Sequence, residues 1–114
     1  GQTKLKSIYR LKKNYQYNYV YKHSQSVADN YFVLLYTKSN VRQTKFGFSV
    51  SKKFGHAVQR NRIRRQMKAA VSGMVGEVKS GYNAIFIPRK SQAYDYAVIV
   101  DSFRRLLTRA ELMQ

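Results

Sequence analysis

The hydrophobic and polar positions between residues 57 and 74 repeat with the period of an α-helix. No Gly or Pro interrupts the chain from Ala57 to Ser72. At about 100° of rotation per residue, four apolar side chains share an arc of about 60°: Ile63, Met67, Ala70 and Met74. Polar side chains occupy an arc of about 160° on the other side: Asn61, Arg62, Arg64, Arg65 and Lys68, with Arg60 at the border. The pattern predicts a helix with one face in a core, ending within the segment that contains Gly73 and Gly76.

Three further segments have the composition and alternation of β-strands. Tyr31–Thr37 is rich in β-branched, aromatic and aliphatic residues, and Tyr82–Ile87 is a similar run that ends at Pro88. Lys45–Ser51 alternates, with Phe46, Phe48 and Val50 on one face and Gly47, Ser49 and Ser51 on the other. We expect Tyr31–Thr37 and Lys45–Ser51 to pair as antiparallel strands across a turn at Ser39–Asn40. The small side chains on one face predict close approach by another element or a ligand.

A second amphipathic helix is predicted for Asp95–Glu111. Its acidic residues Asp95 and Asp101 come early and its arginines come late, as the helix dipole favours. Its expected core face consists of Tyr96, Ile99, Val100, Phe103, Leu106, Leu107 and Ala110.

The N-terminal part of the chain is less clearly patterned. Residues 1–13 carry five basic residues and few apolar ones, which predicts a mobile basic arm with some irregular ordered structure near Tyr9–Leu11. Asn14–Lys22 alternates tyrosines with Gln16, Asn18 and Val20, and this period slightly favours a strand. A helix is the alternative, because Asn14 is a suitable N-cap and the tyrosines also form i,i+4 pairs.

Composition and charge indicate the kind of partner. With 114 residues and 44% hydrophobic residues, the chain is expected to be one folded domain, residues 1–114. Its net charge is +17, and residues 1–76 contain 16 basic residues and one acid, Asp29. Such a basic body predicts a nucleic-acid partner, whereas a membrane-binding helix would need a Trp, Phe and Leu face that the arginine-rich helix lacks. The absence of cysteine excludes disulfides and thiolate metal sites and fits a cytoplasmic protein.

Arginine dominates the predicted basic helix. Ser51–Val71 contains seven basic residues and no acid, and like charges three or four positions apart repel each other. A solvated basic face usually carries interspersed Glu or Asp, so that alternative is less favoured. The planar guanidinium group matches phosphate oxygens in a bidentate manner. The helix is therefore predicted to bind a polyanion.

Side chains that could carry out catalysis are few. His23 and His56 could in principle form an acid–base pair for RNA cleavage, but each is expected in a loop. The five acidic residues are scattered and form no pattern for a two-metal nuclease. The tyrosines of Tyr15–Tyr21 are too dense for every ring to be buried, and exposed rings beside basic residues stack on unpaired bases. We therefore expect two surfaces, one for phosphates and one for a single strand.

The central run resembles a known family. Residues 47–65 (GFSVSKKFGHAVQRNRIRR) are similar to the signature of the bacterial ribonuclease P protein subunit, with its Ser-Lys-Lys, Gly-x-Ala-Val and Arg-Asn-x-Ile-(Lys/Arg)-Arg elements. Arg10–Asn14, Ser26–Ala28 and Ile85–Arg89 also match that family's pattern, so that the similarity extends over nearly the whole chain.

The resemblance implies a fold. It is an α+β sandwich with a small, mostly antiparallel sheet, also found in a domain of small-subunit ribosomal proteins. The basic helix lies in a left-handed strand–helix–strand crossover, although the general rule favours the right hand. The resemblance also implies that Asn14–Lys22 is a helix, against its alternating pattern.

The resemblance also implies a function, as the accessory protein of an endoribonuclease that removes the 5′ leader of precursor tRNA. The RNA subunit performs the hydrolysis with Mg²⁺, and no cofactor, small-molecule substrate or membrane is implied for the protein itself. The implied residues for binding ribonuclease P RNA are Lys52, Lys53, Arg60, Asn61, Arg62, Arg64, Arg65 and Lys68. Those implied for the leader are Tyr17, Tyr21, Val33 and Leu35.

Two departures from the family pattern matter. Leu35 stands where the family often has an aromatic residue, which weakens the case for stacking there, and Tyr36 is expected to point to the opposite face. Lys68 replaces a frequent arginine and so keeps the charge without the bidentate fork. The competing hypotheses are a ribosomal or other basic RNA-binding protein and a stand-alone ribonuclease that uses His23 and His56.

Overall fold

A computed structural model describes residues 4–90 and 92–114. Four strands form one open sheet in the order β1-β2-β4-β3: β1 (Gln25–Ala28), β2 (Phe32–Lys38), β3 (Lys45–Phe48) and β4 (Tyr82–Pro88). Three α-helices accompany the sheet: α1 (Asn14–His23), α2 (Ala57–Ser72) and α3 (Tyr96–Arg109). Single turns of 3₁₀-helix occur at Ser7–Tyr9, Lys52–Phe54 and Val75–Glu77. No helix within the described ranges is long and apolar enough to cross a membrane.

The pairing of the strands differs from the sequence prediction in one respect. β2 and β3 are not neighbours, because β4 lies between them, antiparallel to β2 and parallel to β3. β4 takes the centre because Ala84, Ile85 and Phe86 are all buried, so that it contributes to the hydrophobic packing on both faces of the sheet. The helical crossover α2 supplies the length of chain that a parallel β3–β4 pair needs. The implied left hand of this crossover stays a prediction. β1, which pairs with the outer edge of β2, was not predicted.

The main core lies between one sheet face and the helices α2 and α3. The predicted stripe of α2 is confirmed, since Ile63, Met67, Ala70 and Met74 are all buried. On α3 the ring of Phe103 stacks on Phe86 of β4 with a centroid separation of 3.7 Å. The predicted core face of α3 is correct for Ile99, Phe103, Leu106, Leu107 and Ala110. It is wrong for Tyr96, which is 50% exposed in the first turn, while Val100 is half-buried.

The helix α1 crosses the opposite face of the sheet, transverse to the strands. The chain enters it beside β3, where the Leu11 N–H donates to the Phe46 carbonyl oxygen at 2.9 Å. It leaves at Gln25 of β1, the opposite edge strand. Val20 faces the sheet and is buried with Leu11 and Ile85. The helix implied by the family resemblance is thus confirmed against the alternating pattern.

The residues before α1 are more ordered than predicted. Leu5 and Leu11 are buried, and Arg10 forms a parallel bridge to Phe46 at the edge of β3. Order near Tyr9–Leu11 is confirmed, but a mobile arm is wrong for residues 4–13, because two leucines anchor this segment in the hydrophobic interior. The first three residues of the predicted arm lie outside the described ranges. Asn14 is the first residue of α1 rather than its N-cap, which is Lys13.

Candidate RNA-binding surfaces

The polar face of α2 is exposed or half-exposed along its length. Asn61, Arg62 and Arg65 are exposed, and Arg60, Arg64 and Lys68 are half-buried. Lys52 and Lys53 lie on the 3₁₀ turn just before the helix and are exposed. All eight residues implied for RNA-subunit binding therefore lie on one helix and the turn that leads into it. We call this set the α2 basic face.

Local hydrogen bonds orient several of these side chains. Gln59 Oε1 accepts from the His56 N–H at 2.7 Å at the start of the helix, where backbone N–H groups lack helical partners. An Arg60 guanidinium nitrogen donates to the Gly55 carbonyl oxygen at 2.8 Å. Asn61 Oδ1 accepts from Arg64 at 3.0 Å. Asn61 thus holds one guanidinium group in place without neutralising it.

The acidic residues of the protein are gathered around α3 instead. Within the described ranges the two ion pairs are Arg104–Glu77 at 2.9 Å and Arg105–Asp29 at 2.6 Å, and both use α3 arginines. Asp95 caps α3 by accepting from the Val98 N–H at 2.9 Å. The two other acids, Asp101 and Glu111, lie on α3 and just after its end. The charge of the α2 basic face therefore has no carboxylate partner in the part of the chain that the structure describes.

A basic cleft of about 360 Å³ joins the α2 basic face to α1. Arg10 and Lys12 of the N-terminal segment face Arg64 and Lys68 across it, and Tyr17 lines the same space. Burial, together with the charges of Arg10 and Arg64, lowers the pKa of Lys68. The sequence predicted no binding role for Arg10 or Lys12. Their signals were the positive charge of the N-terminal segment and the match of Arg10–Asn14 to the family pattern, and the cleft forms only when that segment is fixed beside β3.

The four residues implied for leader binding lie on α1 and β2, on the sheet face that α1 covers. Tyr17 and Tyr21 are on one flank of α1, with the Tyr21 hydroxyl donating to Ser49 Oγ at 3.0 Å and Tyr17 Oη accepting from the Phe48 N–H at 3.3 Å. Val33 and Leu35 are half-buried on β2 and share this sheet face. We call this surface the α1–β2 cleft. Burial raises the pKa of Tyr17, which keeps its ring a neutral phenol.

The neighbours of these residues agree with the expected directions. Tyr36 points to the opposite face, as predicted, and its hydroxyl donates to Gln25 Oε1 at 3.0 Å. Leu35 packs against the small cluster of Leu11, Val20 and Ile85, so that it is part of the cleft floor. The close approach predicted for the small face of β3 is confirmed, since the Tyr17 ring lies over Gly47.

The two histidines lie at the ends of different helices. His23 ends α1 and its ring contacts Tyr19 with a centroid separation of 4.5 Å, whereas His56 is the N-cap of α2. They do not form the acid–base pair that a stand-alone ribonuclease would require. Within residues 4–90 and 92–114, no three His, Asp or Glu side chains are grouped so as to hold a metal ion. The expectation that Mg²⁺ is held by RNA stays a prediction.

The fold and these surfaces define a class: a small α+β protein built around an unneutralised arginine helix and an aromatic cleft, as in proteins that bind RNA. Comparison with known proteins identifies the family. The sequence profile of the family described as Ribonuclease P matches residues 5–111. A ribonuclease P protein component from Thermoanaerobacter sp. (strain X514) is 34% identical over 108 residues, covering 94% of this chain and 93% of the relative. One from Carboxydothermus hydrogenoformans is 42% identical over 94 residues, covering 80% and 81%.

Solved structures agree with this comparison. The ribonuclease P protein of Staphylococcus aureus superimposes with a TM-score of 0.83 at 30% identity, covering 93% of this chain and 98% of that one. That of Thermotoga maritima gives a TM-score of 0.80 at 27% identity, covering 88% and 96%. The chain belongs to the bacterial ribonuclease P protein family, and its function is that of a protein subunit of ribonuclease P in tRNA processing.

Proposed function

We propose that this protein is the accessory subunit that holds the catalytic RNA and the precursor tRNA together, while the RNA performs the hydrolysis with Mg²⁺. The RNA subunit binds the α2 basic face, and the 5′ leader lies in the α1–β2 cleft against Tyr17, Tyr21, Val33 and Leu35. Both partners are RNA, and no protein side chain takes part in the chemical step. We also expect the protein to act in the cytoplasm.

The observation that carries this proposal is the separation of charge between α2 and α3. Every acidic residue lies on α3, lies next to one end of α3, or bonds to an α3 residue. No acid therefore neutralises the α2 arginines, and these repel one another in the free protein. Phosphate oxygens relieve that repulsion and match the guanidinium fork. A polar face of α2 that served only to meet solvent would usually carry carboxylates among these arginines.

The basic cleft at Arg10 and Lys68 supports simultaneous contact with two RNA chains. It borders the α2 basic face on one side and Tyr17 of the α1–β2 cleft on the other. A leader strand in the α1–β2 cleft would therefore pass its phosphates close to the RNA bound on α2. The net charge of +17 lowers the mutual repulsion of the two RNAs, which reduces the concentration of Mg²⁺ needed for cleavage.

Cleavage of precursor tRNA by a bacterial ribonuclease P RNA at low Mg²⁺ tests the proposal. The reaction is run with both components, with RNA alone and with protein alone. We expect removal of the 5′ leader only when both are present, and a weaker rescue with Arg60→Ala, Arg62→Ala or Arg65→Ala. Arg104→Ala is the matched control, because Glu77 already neutralises that surface arginine.

Each contrary result points to a different function. Tight RNA binding without rescue would favour a ribosome-type RNA-binding protein. Cleavage in the protein-only reaction, abolished by substitution of His23 or His56, would favour a stand-alone ribonuclease.

A further inference from the structure

The tyrosines of α1 divide into two pairs on opposite flanks of the helix. Tyr17 and Tyr21 are separated from Tyr15 and Tyr19 by about 200° around the helix axis at about 100° per residue. Because α1 runs across the strands, its two flanks face opposite ends of the sheet. Tyr17 and Tyr21 face the end at Ser49 and Val33, and the proposed function uses them. Tyr15 and Tyr19 face the other end and have no assigned role.

A groove of about 990 Å³ lies along this second flank. One wall consists of Tyr15, Gln16 and Tyr19, and the other consists of the chain after β2 and the turn before β4. Tyr15 is 71% exposed and Tyr19 is 50% exposed, so neither ring is needed to fill the core. The His23 ring contacts the Tyr19 ring with a centroid separation of 4.5 Å and an angle of 39° between the ring planes. We call this space the Tyr15–Tyr19 groove.

Hydrogen bonds between the two loops fix the far wall of the groove. The Ser39 N–H donates to the Gly81 carbonyl oxygen at 2.8 Å. Thr44 Oγ1 donates to the Lys79 carbonyl oxygen and accepts from the Tyr82 N–H at 3.2 Å. Gly81 has φ of 90°, which glycine adopts readily, so the turn forms without backbone strain and the three hydrogen bonds hold it against the neighbouring loop. The groove is therefore formed before any ligand arrives, which lowers the entropic cost of binding.

A buried amide in this groove lacks a hydrogen-bond partner. Asn83 of β4 lines the groove and is only 6% exposed. Its Oδ1 has no hydrogen-bond partner among the residues that the structure describes. Buried polar atoms are almost always paired, because an unpaired one loses its bonds to water without replacement. Rotation of the carboxamide by 180° can present either its oxygen or its NH₂ group to a ligand with little change of shape.

The chemistry of the groove matches a nucleotide. Two exposed aromatic rings offer stacking surfaces, the Asn83 carboxamide offers a donor and an acceptor for a base edge, and Lys38 offers a positive charge for a phosphate. No acidic residue lines the groove. We propose that the Tyr15–Tyr19 groove binds an unpaired nucleotide of single-stranded RNA, as a second strand-binding site on the opposite flank of α1 from the α1–β2 cleft.

Nuclear magnetic resonance on the full chain tests this proposal, and this test does not depend on the proposed function. Labelled protein is titrated with a five-nucleotide oligoadenylate and with an abasic oligomer that has the same phosphates. We expect the oligoadenylate to shift the backbone signals of Ser39 and Gly81 and the side-chain NH₂ signals of Asn83. The abasic oligomer should leave the Asn83 signals unchanged. Signals of Ser49 and Ile87 report the α1–β2 cleft separately.

Substitutions in exposed tyrosines sharpen the test without disturbing the core. Tyr15→Leu combined with Tyr19→Leu should weaken binding at the Ser39, Gly81 and Asn83 signals about fivefold or more, since base stacking on an aromatic ring is lost. Binding at the Ser49 and Ile87 signals should change little. Tyr96→Leu is the control, because Tyr96 is as exposed as Tyr19, at 50%, but lies on α3. Oligoadenylate shifts confined to the α1–β2 cleft and α2, or equal Asn83 shifts with the abasic oligomer, would overturn the proposal.

Photocrosslinking in the assembled complex shows whether the bound nucleotide belongs to the leader of precursor tRNA or to the RNA subunit. This experiment rests on the proposed function. One sample carries 4-thiouridine in the leader of precursor tRNA, and the other carries it in the RNA subunit. Mass spectrometry that assigns the crosslink to an individual residue, Tyr15, Tyr19 or one of residues 39–42 rather than Tyr17 or Tyr21, shows which RNA enters the groove. Crosslinks from one sample identify the source. Their absence from both samples, in a complex that still cleaves precursor, would overturn a role for the groove while leaving the proposed function intact.

Discussion

The ring of Tyr17 lies directly over Gly47. A Cβ atom added at Gly47 would lie 2.7 Å from Tyr17 Cε1 and 2.8 Å from its Oη. The Phe48 N–H bond to Tyr17 Oη keeps the ring in this position. Because Gly47 of β3 has no side chain, the Tyr17 ring can lie directly against the sheet and α1 can pack closely on it.

Gly47→Ala should lower the free energy of unfolding by about 1–3 kcal/mol, because the added methyl group overpacks a closed contact. Chemical denaturation measures the change. Gly76→Ala is the matched control, since a Cβ there meets nothing within 4 Å. In a Tyr17→Leu variant, Gly47→Ala should lower the free energy of unfolding by clearly less than in the wild type. Equal losses in the two proteins would show that the methyl group does not act through the Tyr17 ring.

The carboxylate of Asp29 links the β1–β2 turn to α3. It accepts hydrogen bonds from the Tyr31 and Phe32 N–H groups, both at 2.8 Å, and from Ser102 and Arg105, both at 2.6 Å. Burial by itself would raise the pKa of Asp29, but these four bonds together outweigh it and the pKa is lowered. The carboxylate form therefore stabilises the fold.

Asp29→Asn should lower the free energy of unfolding at neutral pH by about 1–3 kcal/mol, as expected for weakening buried, charge-assisted bonds. A lowered pKa in the folded state gives stability that is present above the ordinary carboxyl pKa of about 4 and is lost as pH falls through the folded value. The acid side of the stability–pH curve should therefore be flatter in Asp29→Asn. Asp101→Asn, on the exposed surface of α3, should leave that part of the curve as in the wild type.

The α2 basic face should make RNA binding strongly dependent on salt. Six phosphate contacts give a slope of log K against log salt of about −4 to −5. Arg62→Ala and Arg65→Ala should each make the slope less steep by about one unit. Titrations of the RNA subunit at several salt concentrations measure this. An unchanged slope in both variants would mean that Arg62 and Arg65 do not contact phosphates. Arg104→Ala is the control here as well, and its slope should match that of the wild type.

Anions should stabilise the free protein by relieving repulsion among the α2 arginines. Millimolar sulfate or phosphate should raise the melting temperature more than chloride does at equal ionic strength. The difference should shrink in an Arg62→Ala, Arg65→Ala double variant. Superimposable melting curves in sulfate and chloride would count against an anion-binding role for this face.

Tyr21→Leu should weaken binding of precursor tRNA while leaving binding of mature tRNA unchanged, because only the precursor carries a leader. The loss of one stacked base predicts an effect of about fivefold or more. Affinities of the reconstituted complex for the two tRNAs measure it. Tyr21→Phe removes only the hydroxyl bond to Ser49 and should retain most of the affinity. Equal losses for precursor and mature tRNA in Tyr21→Leu would indicate a contact outside the leader.

Much of the architecture followed from local pattern. The 3.6-residue period of α2 and α3 determined which faces are buried, because an apolar stripe must leave water wherever the helix docks. The strands β2 and β4 were correctly located from their runs of β-branched, aromatic and aliphatic residues. The motif at residues 47–65 indicated the family, and the family profile, which matches residues 5–111, confirms it. The roles of the eight α2 residues and of the leader-binding residues remain proposals.

Other features depended on contacts between distant parts of the chain. The sequence could not show that β4 inserts between β2 and β3, because strand order depends on which strand can be buried on both faces. The alternating tyrosines of α1 slightly favour a strand locally, and docking of Val20 on Ile85 favours the helix. In the docked helix the four tyrosines form two pairs on opposite flanks, Tyr17 with Tyr21 and Tyr15 with Tyr19.

The sequence by itself determined the charge, the arginine-rich face and the family of this protein, since these depend on residue identity and short-range period. Only the tertiary structure decided that Arg10 and Lys12 lie close to Lys68, that Gly47 makes room for Tyr17, and that Asn83 Oδ1 has no hydrogen-bond partner, among the described residues, in the groove beside Tyr15 and Tyr19. These relationships join residues far apart in the chain. Their energies arise from burial and packing, which no local pattern encodes.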